Sequence, residues 1–188
     1  MARLFTAVEV PYAVARALER LRGGVPGARW IDPENYHITL NFIGEVDGRL
    51  ACEVGASLGA VAAPSFELRL LDVGSFGRAR PHSLWAGIEP SPALRDLQAD
   101  ALRAIARLGV LLDTRKFQPH VTVAKIRHAD DAALAGWLMR HSAFRTDRFT
   151  VDRFVLMSSR PSRGGGPYAI EHAYPLEARP ANEWIEEA

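Results

Sequence analysis

Two five-residue stretches decide how this chain is read: Tyr36-His37-Ile38-Thr39-Leu40 and, 83 residues later, Pro119-His120-Val121-Thr122-Val123. Each is His-x-Thr-aliphatic set in a run of strand-forming residues. Side chains alternate faces along a strand, so His37 and Thr39 share one face while Ile38, Leu40 and Phe42 share the other. In the second copy His120 and Thr122 share a face, with Val121 and Val123 opposite. Each strand therefore drives an aliphatic row into a core and offers an imidazole and a hydroxyl on its other side. If the two strands lie side by side about a pseudo-two-fold axis, both polar pairs line one cleft.

The flanking pattern mixes strands and helices. Residues 3–10 read as a strand ending at Pro11, and 12–22 as a helix with Val14, Ala17, Leu18 and Leu21 on one side. A small-residue helix over 48–62 stops before Pro64, and strands follow at 65–73 and 83–89. Ser91-Pro92 is a cap and first-turn pair for a helix carrying Leu94, Leu97, Ala101, Ile105 and Leu108, closed by Gly109. A strand at 117–126, a helix at 130–141 after Asp130 and strands at 149–158 and 168–175 complete the chain. Gly23-Gly24, Pro26-Gly27 and Gly164-Gly165-Gly166-Pro167 are loop signals. No low-complexity linker divides this order, which predicts an α+β fold, one domain over residues 1–188, with antiparallel sheets.

Composition narrows the function classes. The chain has 188 residues, 48% hydrophobic and 24% charged, which is ordinary for a globular protein and excludes disordered, collagen-like and coiled-coil readings. One cysteine, Cys52, excludes an intramolecular disulfide framework and a multi-cysteine zinc site. No His-Glu-x-x-His pattern suggests a metal, and Gly164 to Gly166 lacks the Lys-Ser/Thr of a phosphate-binding loop, so no metal and no cofactor are expected. No run approaches the ~18 apolar residues of a membrane span, and Glu9 and Pro11 interrupt any signal-length stretch, so a cytoplasmic protein is expected; a monomer is expected as well. The net charge of +1 provides no global field for long nucleic acid, although all but Lys116 and Lys125 of the 23 basic residues are arginine.

Two imidazoles facing each other across a small gap suit in-line displacement at phosphorus. One withdraws a proton from the attacking oxygen while the other protonates the leaving oxygen. Histidine suits both roles because its ordinary pKa of about 6.5 leaves both forms populated near neutrality. The hydroxyls of Thr39 and Thr122 can donate to non-bridging phosphate oxygens, whose charge grows in the transition state.

The residues around the motifs carry a resemblance. Arg3-Leu4-Phe5 with Pro11, the run from Trp30-Ile31-Asp32-Pro33-Glu34-Asn35 through Leu40, then Phe42-Ile43-Gly44-Glu45-Val46, begin it. Phe76, Leu84-Trp85, Phe117-Gln118-Pro119-His120-Val121-Thr122-Val123-Ala124, Leu156 to Ser159 and the glycines before Tyr168 continue it in order. Over about residues 3–177 the chain resembles the two-histidine phosphoesterase superfamily. Within it, the chain is similar to the RNA 2′,3′-cyclic phosphodiesterases once described as 2′-5′ RNA ligases. The resemblance implies a bilobal α+β fold with antiparallel sheets about a central cleft, one motif per lobe. It also implies metal-free hydrolysis of RNA ends bearing a 2′,3′-cyclic phosphate, tRNA fragments among them, to 2′-phosphate ends, with His37 as proton donor and His120 as acceptor. The reverse reaction joins such an end to a 5′-hydroxyl. Alternatives are a non-catalytic RNA-end-binding protein, or a phosphodiesterase for small cyclic nucleotides or 2′-5′ oligoadenylates.

One departure stands out. Where the family usually has Arg shortly after the second motif, this chain has Lys125 and then Arg127. Strand parity sets Lys125 on the face opposite His120 unless a bulge intervenes, so it stays outside the expected site. Of the other candidates, Phe76 offers a ring for stacking on a terminal base. Arg78, Arg80 and His82 offer a basic rim, and Arg160 and Arg163 flank the glycine loop. Tyr168 either reaches the cleft or simply starts a strand. His128, His141 and His172 lack a repeated partner and are expected at the surface.

Overall fold

The computed structural model describes residues 2–77, 80–112, 116–127, 130–159 and 168–178. In chain order it contains β1 (Ala2–Glu9), α1 (Tyr12–Glu19), β2 (Ala28–Trp30), a 3-10 turn (Pro33–Asn35), β3 (His37–Val46), α2 (Gly48–Leu58), β4 (Phe66–Leu68), β5 (Leu70–Phe76), β6 (Ser83–Ile88), α3 (Pro92–Ala106), β7 (His120–Ile126), α4 (Asp131–Arg140), β8 (Phe149–Val151), β9 (Arg153–Ser159) and β10 (Tyr168–Pro175). The fold is α+β, as the sequence pattern indicates. Helix starts follow local chemistry. Asp47 accepts from the Leu50 N–H at 2.8 Å and Ser91 from the Leu94 N–H at 3.2 Å. Gly109, just past α3, takes a φ of +77°, a left-handed conformation that favours glycine.

The main sheet runs β10-β9-β1-β3-β7-β6-β5, with β2 added alongside β7, and every pairing in it is antiparallel. All four helices contribute to one apolar layer against one face of it. Leu18, Leu58, Leu97 and Trp137 pack there with Leu4, Ile38, Leu84 and Val121 from the strands. The opposite face carries only a small cluster of Phe5, Ala7, Val155 and Met157, with Tyr168 packed against it. This second face is the open one, and it is where the polar positions of the repeat project.

The repeat reaches much further than the two motifs. β1-α1-β3-α2-β4-β5 is matched by β6-α3-β7-α4-β8-β9 in the same order. Ile38 pairs with Val121, and Glu67 pairs with Thr150 in the separate β4-β8 ribbon; both couples are 83 residues apart. Each residue thus meets its own counterpart, so a pseudo-two-fold axis passes through both rungs. The edges are exchanged: β5 leaves the first half to pair with β6, and β9 leaves the second half to pair with β1.

Each motif strand also carries a bulge at the same place. In β3, Thr39 faces Ala7 and Asn41 faces Thr6, so Leu40 is passed over. In β7, Thr122 faces Trp85 and Ala124 faces Leu84, so Val123 is passed over. An unpaired extra residue shifts the alternation by one. Two expectations change as a result. Phe42, expected beside Ile38 and Leu40 in the core, is 55% exposed and lies on the open face, its ring 6.2 Å from that of Phe5. Lys125, assigned by strict parity to the face opposite His120, is exposed on the same face as His120, while Ile126 returns to the core.

Smaller differences have simple causes. The strand expected over 65–73 divides into β4 and β5, because the first pairs with β8 and the second with β6. The strand expected from 117 begins at His120, after Pro119, which has no N–H to give a ladder. The sequence pattern does not indicate β2 or the 3-10 turn, because Arg29 and Trp30 sit between loop signals and lack a strand-length pattern. Among the described residues, no helix is long and apolar enough to cross a membrane.

Candidate active site

Ile38 and Val121 point into the core, so the antiparallel sense of their pairing sets His37 toward Thr122 and Thr39 toward His120 on the open face. Ideal geometry then puts the two histidines on a diagonal of about 7–8 Å. The four groups expected from sequence are thus brought together, each imidazole beside the hydroxyl of the other motif. Neither threonine hydroxyl has a hydrogen-bond partner among the described residues, so both are available to a ligand.

The imidazoles are held alike. Nδ1 of His37 donates to the carbonyl oxygen of Asn35 at 2.8 Å, and Nδ1 of His120 donates to that of Gln118 at 2.7 Å. A carbonyl oxygen only accepts, so the Nδ1 proton is fixed in both rings and each Nε2 is left to exchange protons in the cleft. Each ring also rests edge-on against an aromatic. Tyr168 lies 4.9 Å from His37 at 79°, and Phe76 lies 4.7 Å from His120 at 80°. Phe5 is 5.1 Å from His37, and Trp85 is 6.4 Å from His120. Gly74 faces Trp85, and a Cβ there would collide with the indole, so only glycine lets that ring lie across β5.

The electrostatics are set by burial and one cation. Burial holds both imidazoles below the ordinary histidine range, partly opposed by their carbonyl partners; Lys125 depresses both further, and a charge on His120 depresses His37. Partial desolvation of its amine, despite the exposure of the side chain, lowers Lys125 itself. Burial and Lys125 thus both work against the charged rings, and an anion placed between them would work the other way. Tyr168 is raised by burial, which keeps its hydroxyl protonated and able to donate.

Of the remaining candidates, Phe76 and Tyr168 reach the cleft, though Phe76 braces His120 rather than standing free as a stacking platform. A cavity of about 560 Å³ is lined by Phe76, Trp85 and Gln118 together with Asp131 and Leu134 of α4; none of the four motif side chains lines it. His82 stacks on Phe76 at 6.4 Å and Arg80 is exposed. Arg78, Arg160, Arg163, His128 and the 164–166 glycines lie outside the described residues. His141 is partly exposed, its ring 5.1 Å from that of Trp137, and His172 is exposed. Among the described residues, no group of three or more His, Cys, Asp or Glu side chains is disposed to hold a metal ion. Lys125 is the residue that alternation alone missed; a lysine at a nominal core position was its signal.

The family model for the 2′-5′ RNA ligase superfamily matches residues 10–163, which include both motifs. The chain belongs to that superfamily. It is 33% identical to the RNA 2′,3′-cyclic phosphodiesterase of Geobacillus stearothermophilus over 94% of this chain and 58% of that one. It is 31% identical to the RNA 2′,3′-cyclic phosphodiesterase of Escherichia coli K12 over 88% and 92% respectively. The chain spans 58% and 61% of the length of the curated relatives from G. stearothermophilus and Aeropyrum pernix. Among solved structures, E. coli LigT in apo form superposes with a TM-score of 0.75 at 27% identity, covering 94% of this chain and 98% of that one. Its complex with 3′-AMP gives 0.73 at 26%, covering 93% and 98%. This superfamily membership agrees with the resemblance carried by the motif residues.

Proposed function

We propose that this protein is a metal-independent RNA 2′,3′-cyclic phosphodiesterase acting as one bilobal unit, each lobe contributing one His-x-Thr motif. The observation that carries the reading is the paired orientation of the two histidines, each with Nδ1 spent on a backbone carbonyl and Nε2 free on the shared open face. The names of the relatives support the choice of substrate.

In the proposed reaction a water oxygen attacks phosphorus as His120 Nε2 takes its proton. The P–O3′ bond breaks in line, and His37 Nε2 gives its proton to O3′. One P–O bond forms and one breaks, leaving a 2′-phosphate, and the two rings exchange protonation states before solvent resets them. Thr39 and Thr122 donate to the non-bridging oxygens. Because the phosphate anion favours the imidazolium form, substrate binding itself helps to charge the acid.

Incubation of an oligoribonucleotide ending in 2′,3′-cyclic phosphate with the protein and EDTA tests this. The expected product is the 2′-phosphate end at an undiminished rate. A 3′-phosphate product, or activity lost to chelator and restored by a divalent ion, would overturn it.

A further inference from the structure

The bulge at Val123 brings Lys125 to the open face, and the β2-β7 ladder sets Arg29 directly opposite it. Ala28 and Trp30 pack against the core, so Arg29, between them, projects from the other face and is exposed. Across its other edge Lys125 faces Ser83, which is uncharged. Two cations thus stand side by side on adjacent strands. Like charges directly opposite one another in a sheet are destabilising. Nothing in the described fold offsets this pair: Arg29 has no ion-pair partner there, and neither has Lys125. The other lobe differs, since Arg3 on its open face is directly opposite Glu45. Among the described residues, this pair of cations therefore stands toward the β2-β7 end of the open face, about two pleat repeats, or about 13 Å, along β7 from His120.

We propose that Arg29, beside Lys125, forms a subsite for the backbone phosphate on the 5′ side of the terminal nucleotide, and so makes the protein selective for RNA chains over isolated nucleosides. The proposal rests on the reading of the cleft given above and adds the direction in which the RNA leaves it: along the β2-β7 side, away from Arg3 and Glu45. Lys125, whose charge is felt by both imidazoles, is the inner member of the pair. Arg29 is the outer member, and its planar fork suits a phosphodiester oxygen pair. The polyanion also removes the cost of two adjacent cations.

The test compares a mononucleoside 2′,3′-cyclic phosphate, which lacks the 5′ phosphate, with a pentaribonucleotide carrying the same terminal group. Wild type should prefer the pentamer in kcat/KM. Arg29→Gln should lower that preference roughly tenfold or more, mainly through KM, as for loss of a charge-assisted hydrogen bond. The slope of log kcat/KM against log salt for the pentamer should fall by about 0.7, as for one single-strand phosphate contact. Arg29→Lys should restore much of the preference. A merely structural Arg29 would depress both substrates alike and leave their ratio and the salt slope unchanged, which overturns the subsite. Equilibrium binding of the pentamer's 2′-phosphate product, against a 2′-mononucleotide, reads the same subsite without turnover. If wild type opens neither substrate, the proposed function fails, and the binding ratio in Arg29→Gln still decides the subsite.

Discussion

Ile38 faces Val121 across the junction of β3 and β7, and the two residues are counterparts in the repeat. Both are fully buried, so the rung that joins the halves is an apolar contact lying beneath the polar quartet. A rotation about this rung exchanges His37 with His120 and Thr39 with Thr122. Groups related in this way approach a phosphate from opposite sides, which is what in-line displacement requires of an acid and a base.

His37→Ala and His120→Ala should each lower kcat by about 10²–10⁴-fold, the range for loss of general acid–base catalysis. Both rings project from the open face, so the circular dichroism spectrum and cooperative melting should be retained. Turnover near wild type in either folded variant would remove the two-imidazole mechanism.

The pH dependence has a definite sign. Burial disfavours the charged form of both imidazoles, and the proposed mechanism needs one ring charged and one neutral. The bell-shaped profile of kcat/KM, which reports the free enzyme, should therefore be centred below about 6.5. The profile of kcat should lie at higher pH, because the bound anion raises the pair, and both profiles report the pair jointly. Lys125→Gln removes a cation that depresses both rings, so it should move the kcat/KM profile upward. A downward move would show that the lysine acts otherwise.

Thr39→Val and Thr122→Val keep strand preference and shape but remove a donor. Each should cost about 1–3 kcal/mol of transition-state stabilisation, or roughly 5- to 150-fold in kcat/KM. Since neither hydroxyl has a partner in the described fold, the melting temperature should hold or rise slightly. Wild-type kinetics in both variants would reduce the threonines to strand formers.

Gly74→Ala tests the Trp85 brace. A methyl at this position collides with the indole ring, and overpacking of this kind costs about 1–3 kcal/mol. The displaced indole stands beside Thr122 and His120, so kcat should fall together with Tm. A stable variant with full activity would show that the ring's position is immaterial.

Much of this arrangement is legible in the residues, and the exceptions share a cause. His-x-Thr-aliphatic, Ser91-Pro92 and Gly109 are local signals, and each resides in the element it indicates. The bulges are not local in that sense. Leu40-Asn41-Phe42 still reads as a strand, and nothing in it says that Asn41 bonds Thr6 of β1 and Gln98 of α3 while Phe42 turns outward. Val123 to Ile126 gave a hint, because strict alternation would bury a lysine. Tyr168 and Phe76 belong to strands remote in sequence, and their contact with the imidazoles depends on edge strands arriving from elsewhere.

The exchange of β5 and β9 has a mechanical meaning. The halves are laced together: each has its sheet finished by a strand delivered from the other's backbone. Cutting the connection between β5 and β6 would break a covalent bond but remove no ladder between strands. Pulling the pieces apart would strip a neighbour from β1 and from β6 at once and leave raw sheet edges on both. Scission and separation are therefore different events for this molecule. The gap between the two histidines is gauged by the β3-β7 junction, which neither exchanged strand borders, and a nick in that loop should leave the gauge intact.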